Sequence, residues 1–397
     1  MDVAVNIEQL LHRAPGGTGR YSARLVTQLT SLFPADTVLP FTALHRRADV
    51  VSAVRAFGLD AAGVASPAVL GLPRPLLYEA WHLVGQPRLE WMAPSLRRAD
   101  LVHAPSPAVP PRGPRPLVVT VHDVAFELYP EAYPPRGRRF HRRGVEAAAR
   151  RADLVITATE ASAREIADHT PIDPRRLRIV PNGVDDAVST PAETAEVLAR
   201  HHLEDAPYVL WVGSLEPRKN VGTLVRAFAR VVAGDAFPHR LILAGPVGWL
   251  EDGLIPERER VLLGERLRAV GQVSDADLRA LYAGAEAFCF PSLSEGFGLP
   301  VLEAMAQGTP VVCADVPALR EVAGGAAVLV PPLDVPAWTD VLGDLLGRPG
   351  AREPLRTAGR ARAAEFSWGR TAAATRDVYL EALGGPTGPP STRARYR

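Results

Sequence analysis

Short runs of Val, Ile and Leu recur along the chain, each followed by a longer segment whose apolar positions return every three or four residues. Uninterrupted apolar runs suit strands buried on both faces, and the longer period suits helices packed over them. The pattern predicts strands at 3–7, 101–103, 117–121, 154–157 and 178–181. Helices are predicted at 21–32 and 138–152, with another beginning at 162. The alternation restarts at 208, with strands at 208–212, 240–244, 287–290, 310–313 and 327–330. Helices are predicted there at 221–232, 277–283, 317–323, 335–346 and 368–383. Regular alternation of this kind gives the α/β class, with parallel sheets covered by helices. The restart implies two such domains, 1–190 and 191–367, with a linker region within 185–207. Parallel sheets bind ligands at the carboxyl ends of their strands, so two of them would place a site in a cleft between the domains. The last residues, 384–397, are rich in Pro, Gly, Ser and Arg and are expected to be disordered.

Composition narrows the classes. A chain of 397 residues with 47% hydrophobic content can bury two cores, and a net charge of +1 gives no global attraction to nucleic acid or membrane. The two cysteines, Cys289 and Cys313, lie in apolar runs without metal-site spacing, and read as small buried hydrophobes in a reducing compartment. The first residues resemble no signal peptide, and no apolar run reaches about 18 residues, so a cytoplasmic protein is expected. One local charge concentration stands out. Between Arg136 and Arg151 the chain carries seven arginines, which read either as a solvated helix face or as a patch for an anionic membrane surface or a lipid phosphate.

The densest chemistry lies at 289–310. Glu295 and Glu303 bracket a glycine-rich turn, Gly296-Phe297-Gly298-Leu299, that opens a short helix. Pro300 suits the start of that helix and Gly308 the position just past its end. Exposed amides at a helix start favour an anion, and two carboxylates favour hydroxyls. A ligand with both phosphate and hydroxyls, such as a nucleotide-sugar, meets both demands. Arg218 and Lys219 follow the strand at 208–212 and its Gly213, just ahead of a helix, where cations could meet a diphosphate. His122 and Asp123 follow the strand at 117–121, and His is a ready acid–base group. Pro15-Gly-Gly-Thr-Gly-Arg-Tyr21 forms a loop in which Gly17 and Gly19 would let backbone approach a ligand. A dinucleotide fingerprint there lacks its third glycine, since Ser22 occupies the position. Asp275-Ala-Asp277 resembles a metal-binding pair, but Ser274 ahead of it makes a helix cap the simpler reading.

The E-x7-E spacing of Glu295 and Glu303, with Gly-Phe-Gly-Leu-Pro between them, resembles the motif of retaining glycosyltransferases of family 4. The string Leu215-Glu-Pro-Arg-Lys-Asn220 resembles that family's phosphate clamp, His122-Asp123 its active-site histidine, and the Gly17–Tyr21 segment its first loop. Val180-Pro-Asn-Gly-Val-Asp185, Gly271-Gln-Val-Ser274 with Val273, and Leu243-Ala-Gly-Pro246 are similar to further family segments. The resemblance implies the GT-B fold: two Rossmann-like domains facing across a deep cleft, with the helix near 368–383 crossing back to the first. It implies transfer of a hexose from a nucleotide-diphosphate donor to a hydroxyl of a glycan, glycolipid or small acceptor, without metal or other cofactor. Arg218 and Lys219 would hold the diphosphate, Glu295 the sugar and Glu303 the ribose. Gly17, Gly19, Gly213, Val273, Gly296, Phe297, Gly298 and Leu299 would line the donor, and His122 would support the sugar. Asp123 and Tyr21 would lie on the acceptor side. The variants present look most like bacterial mannosyltransferases of polysaccharide and glycolipid assembly, which favours GDP-mannose. A UDP-glucose or UDP-GlcNAc transferase, a sugar-nucleotide epimerase and a catalytically inactive homologue are the competing readings.

Overall fold

A computed structural model describes residues 1–12, 15–233, 237–246 and 253–384. Apart from Gly384, the expected tail lies outside the described residues. Two compact units are formed. The first contains Met1–Leu128, Pro135–Gly183 and the C-terminal segment from Trp368. The second contains Tyr129–Pro134 and Val184–Ser367.

The first unit holds a sheet of β1 (Asp2–Asn6), β2 (Thr37–Thr42), β3 (Ala68–Val69), β4 (Leu101–Ala104), β5 (Leu117–Thr120), β6 (Leu154–Thr157) and β7 (Leu177–Ile179). Its order is β3-β2-β1-β4-β5-β6-β7, with every pairing parallel. The second unit holds β8 (Tyr208–Val212), β9 (Arg240–Ala244), β10 (Leu267–Gly271), β11 (Ala287–Phe290), β12 (Val311–Ala314) and β13 (Val328–Val330), in the order β10-β9-β8-β11-β12-β13. Both sheets reverse direction beside their first strand, between β1 and β4 and between β8 and β11. Doubly wound sheets build their binding sites at that reversal.

The strands follow from their composition. In β11 and β12 every residue is buried, Cys289 and Cys313 included, because helices cover both faces. The terminal helix Trp368–Ala382 belongs to the first unit, where it packs on helix Gly16–Leu32 and buries Trp368, Val378 and Tyr379.

Three regions depart from the sequence reading. Residues 185–207, expected as a linker, contain the helix Pro191–Arg200, started by a reciprocal cap between Thr190 and Glu193. Gln307 anchors the chain just ahead of it, accepting from the Ser189 amide at 2.9 Å and donating to the Ala187 carbonyl at 2.8 Å, and all of these residues lie in the second unit. The glycine-rich segment is no loop: Gly16 to Gly19 form the first turn of helix Gly16–Leu32. A Cβ on Gly19 would meet the Pro15 side chain at 2.4 Å, so the glycine there serves close packing. Finally, β2, β3 and β10 complete the sheets without having been predicted.

Candidate active site

In the second unit, Gly213 to Asn220 leaves the carboxyl end of β8, and Pro291 to Gly298 leaves that of β11. These strands are neighbours at the sheet's reversal, so both loops emerge side by side. A main-chain bond from the Leu293 amide to the Arg218 carbonyl, 2.9 Å, ties them together. Asn220 completes the join. Its left-handed backbone (φ 51°) turns the chain into helix Val221–Val231, and its amide donates to the Pro291 and Pro332 carbonyls at 2.9 and 2.7 Å.

Four charges meet where the loops touch. Lys219 Nζ lies 2.6 Å from Glu295 Oε1, and Arg218 lies 3.3 Å from Glu295 Oε2 and 3.0 Å from Glu216 Oε1. The Arg218 guanidinium also donates to the Ser294 carbonyl at 2.6 Å. The four side chains are at most 12% exposed. Burial alone would push the Glu295 carboxyl up, but the charges of Lys219 and Arg218 overcome it and hold the group below its ordinary value. Sequence reasoning selected Arg218, Lys219 and Glu295 without foreseeing that they pair directly, and it gave Glu216 no role. Lys219 also stands 5.1 Å from the centre of the Phe290 ring.

The turn Gly296–Gly298 feeds the helix Leu299–Ala306, with Pro300 in its first turn. Gly298 has φ 104°, and a Cβ there would meet Leu319 at 2.4 Å. Gly308 follows the helix with φ 74°, as its position predicted. Phe297 is buried and packs edge-on against Phe366. Glu303 accepts from the buried Tyr282 hydroxyl at 3.1 Å, a partner that sequence did not suggest. Beside the charge cluster, Gly245 (φ 136°) closes the end of β9. A Cβ on it would lie 2.1 Å from the Gly213 carbonyl oxygen, so the two strand ends touch backbone to backbone. Val273 follows β10 and is half-buried. The Asp275–Asp277 pair caps a helix as expected: Ser274 accepts from the Asp277 amide at 3.1 Å, and Asp277 pairs with Arg200 at 2.8 Å. Among the described residues no cluster of three His, Cys, Asp or Glu could hold a metal ion.

In the first unit, His122 follows β5 and is half-buried. Its Nε2 lies 3.1 Å from the Pro105 carbonyl, and burial lowers its pKa. A carbonyl only accepts, so Nε2 carries the proton and Nδ1 of the neutral ring is left as an acceptor. Asp123 accepts from the Ala125 amide at 3.0 Å. Tyr21, expected on the acceptor side, is 1% exposed, with its ring 5.0 Å from His122 and nearly perpendicular to it. Gly17 is exposed in the first helical turn. Glu165 escaped notice in the sequence; burial and the neighbouring Asp123 push its carboxyl up to about 7.

The arginine run divides in the structure. Arg142 pairs with Glu127, Arg143 with Glu79 and Arg150 with Glu146, while Arg151 donates to the Trp81 carbonyl. The side chains of Arg136, Arg138 and Arg139 make no hydrogen bond or ion pair among the described residues, and with Pro135 and Arg142 they line an open cleft of about 540 Å³. No described helix is long and apolar enough to cross a membrane.

A model of Glycosyltransferase Family 4 matches residues 15–188, and a model of Glycosyl transferases group 1 matches residues 206–348. The chain is 34% identical over 310 residues to the O-antigen chain mannosyltransferase B of Escherichia coli, covering 77% of this chain and 80% of that protein. This chain belongs to glycosyltransferase family 4. It is an enzyme of the hexosyltransferase kind with the GT-B fold. The family 4 chain is also 38% identical over 241 residues to the MMP alpha-(1->4)-mannosyltransferase of Mycolicibacterium hassiacum, with 59% and 56% of the two chains covered. It is 36% identical over 292 residues to the D-inositol 3-phosphate glycosyltransferase of Salinispora tropica, with 68% and 59% covered. Among solved structures, sucrose-phosphate synthase from Thermosynechococcus elongatus superposes with a TM-score of 0.73 at 22% identity, over 97% and 99% of the two chains. Anabaena HepE in complex with UDP and glucose gives 0.73 at 18% identity, over 96% and 100%. Both likenesses concern the fold.

Proposed function

We propose that this enzyme transfers mannose from GDP-mannose to a hydroxyl of a glycan, glycolipid or small acceptor, with retention at the anomeric carbon. The observation that carries the donor assignment is the convergence of Arg218, Lys219 and Glu295 at the ends of two adjacent strands. Arg218 and Lys219 meet the diphosphate. Glu295, already bonded to both cations, turns its remaining lone pairs to the sugar hydroxyls, and Glu303, braced by Tyr282, takes the ribose hydroxyls. The amides of Gly296–Leu299 face phosphate at the start of their helix.

The bond between the anomeric carbon and the β-phosphate oxygen breaks, and the electron pair leaves with the diphosphate. The acceptor oxygen bonds to the same face of that carbon, and its proton passes to the departing phosphate oxygen. Charge grows on the diphosphate as this happens, so fixed cations lower the barrier without a metal. His122 offers Nδ1 to a sugar hydroxyl and supports the oxocarbenium-like centre.

Mannose is favoured because two relatives at 34% and 38% identity are named mannosyltransferases. The inositol 3-phosphate relatives favour a second reading, in which the acceptor carries a phosphate. The open arginines 136, 138 and 139 fit either that group or the anionic surface of a membrane. The deciding experiment is a binding and turnover screen over GDP-mannose, UDP-glucose, UDP-GlcNAc and ADP-glucose with EDTA present, with product anomers read by NMR. Tight binding of GDP-mannose alone and an α-product are expected. Exclusive use of a UDP-sugar, activity that needs a divalent metal, or an inverted product would each overturn its part of the reading.

A further inference from the structure

A line of buried hydrogen bonds crosses the core of the first unit and ends against His122. It starts on the terminal helix Trp368–Ala382, where the Tyr379 hydroxyl lies 2.7 Å from His103 Nδ1. His103 sits on β4, beside the sheet's reversal, and its Nε2 lies 2.9 Å from Thr120 Oγ1 on β5. Thr120 in turn lies 3.2 Å from the Tyr21 hydroxyl on helix Gly16–Leu32. The Tyr21 ring then stands edge-on to His122, with Trp368 on another side at 6.4 Å. All four members of the line are at most 2% exposed.

Three features separate this line from an ordinary satisfied core. His103 is held neutral by burial, its pKa lowered to about 3, so it carries one proton. With one proton on the ring, one nitrogen donates and the other accepts, so the bonds to Tyr379 and to Thr120 run in opposite senses at the imidazole. Thr120 is the last residue of β5, two residues ahead of His122, so the line reaches the chain just before the imidazole. Finally, the Pro105 carbonyl grips Nε2 of the same imidazole, so the ring is bounded by that bond and by Tyr21. A purely apolar core would fill the space without ordering the imidazole.

We propose that Tyr379, His103 and Tyr21 are positioning residues for His122: the buried line fixes the imidazole at the angle the transferred sugar requires. The inference rests on the role assigned to His122 above. It is tested in the full chain, below the melting temperature of each variant, with kcat and donor KM measured for Tyr379→Phe, Tyr21→Phe, His103→Leu and His103→Gln. Each Phe variant removes one hydroxyl and keeps the ring. Tyr379→Phe and Tyr21→Phe are expected to lower kcat about tenfold, the loss of about 1.4 kcal/mol from transition-state alignment, with donor KM changed less than about twofold. His103→Gln, which keeps a donor and an acceptor, recovers most of what His103→Leu loses. Added to His122→Ala, Tyr379→Phe has no further effect on kcat. Side-chain 15N NMR supplies a second readout: the His122 Nε2–H signal is sharp in the wild type and broadened or shifted in Tyr379→Phe. A Tyr379→Phe variant with lowered melting temperature but normal kcat and an unchanged His122 signal would reduce the line to core packing. An equal loss of kcat in the His122→Ala background would send its effect elsewhere. If His122→Ala alone turns over normally, the role given to His122 fails, a result independent of how the Phe variants behave.

Discussion

Replacing Lys219 with Ala separates what the charge cluster does for the fold from what it does for the reaction. Its ammonium is 2.6 Å from Glu295, with side chains 12% and 10% exposed. Removing one partner of a buried ion pair costs about 3–5 kcal/mol when the other is stranded. Here Arg218 remains 3.3 Å from the second carboxylate oxygen, so about half that loss, roughly 2 kcal/mol, is expected. The loss depends on pH. Lys219 is the larger of the two charges holding the Glu295 carboxyl down, against burial that pushes it up. Without Lys219 the folded-state pKa rises, so the stability that ionised Glu295 supplies above its ordinary value shrinks, and the variant's deficit is larger at pH 8 than at pH 4. Adding Glu295→Gln removes the stranded charge and should restore most of the stability. Turnover follows another course. Under the proposed mechanism, losing one fixed cation opposite the developing diphosphate charge should lower kcat at least about 100-fold, or about 2.7 kcal/mol, and the double variant stays slow. Urea unfolding at the two pH values and steady-state release of nucleoside diphosphate measure both quantities. Near-normal turnover in Lys219→Ala, or recovery of turnover together with stability in the double variant, would refute the reasoning.

Two further changes probe the scaffold. Gly245→Ala forces φ 136° on a side chain whose Cβ would stand 2.1 Å from the Gly213 carbonyl, and should cost about 3 kcal/mol or more in urea unfolding. Gly343→Ala, inside helix Val335–Gly347 with open space around it, should be neutral or stabilising by up to about 1 kcal/mol; equal behaviour of the two would discard the close-approach argument. Glu165→Gln tests the raised carboxyl. A folded-state pKa of about 7, above its ordinary 4.5, means that ionisation costs stability as pH climbs through that window. The variant should gain about 1 kcal/mol at pH 8, after allowance for water reaching this half-buried group, and nothing at pH 4; a gain independent of pH would show that charge is not the cause.

Much of this architecture was legible because its strands are apolar throughout: β6, β8, β9 and β11 match the predicted ranges residue for residue. The missed strands lacked that signal. β2 carries Pro40, β3 has two residues, and β10, half-exposed at the sheet's edge, carries Arg268 and ends on Gly271. The helix Pro191–Arg200 was missed for a different reason. Its Thr-Pro-x-Glu start is a readable capping signal, but it follows a polar stretch that reads as linker. At the site, spacing and local strings pointed to Arg218, Lys219, Glu295 and Glu303. The partnerships among them depend on β8 and β11 being neighbours, a long-range fact that no local string contains. The same holds for His103 and Tyr379, which are 276 residues apart in sequence. Nothing beside either residue marks it, because a buried polar pair is defined by its partner.

The balanced charge of the clamp has a kinetic consequence. Two carboxylates and two cations, nearly out of contact with water, cancel one another at a distance, so little of their field extends beyond the cluster itself. Under the proposed donor assignment, a nucleotide-sugar approaching through solution is therefore not steered by these cations as it would be by an open basic cleft. It senses them only on arrival, when its diphosphate competes with Glu216 and Glu295 for the same ammonium and guanidinium protons. Selection then occurs by exchange of partners inside the site, where free phosphate can compete for the cations but offers the neighbouring acids no sugar hydroxyls in return.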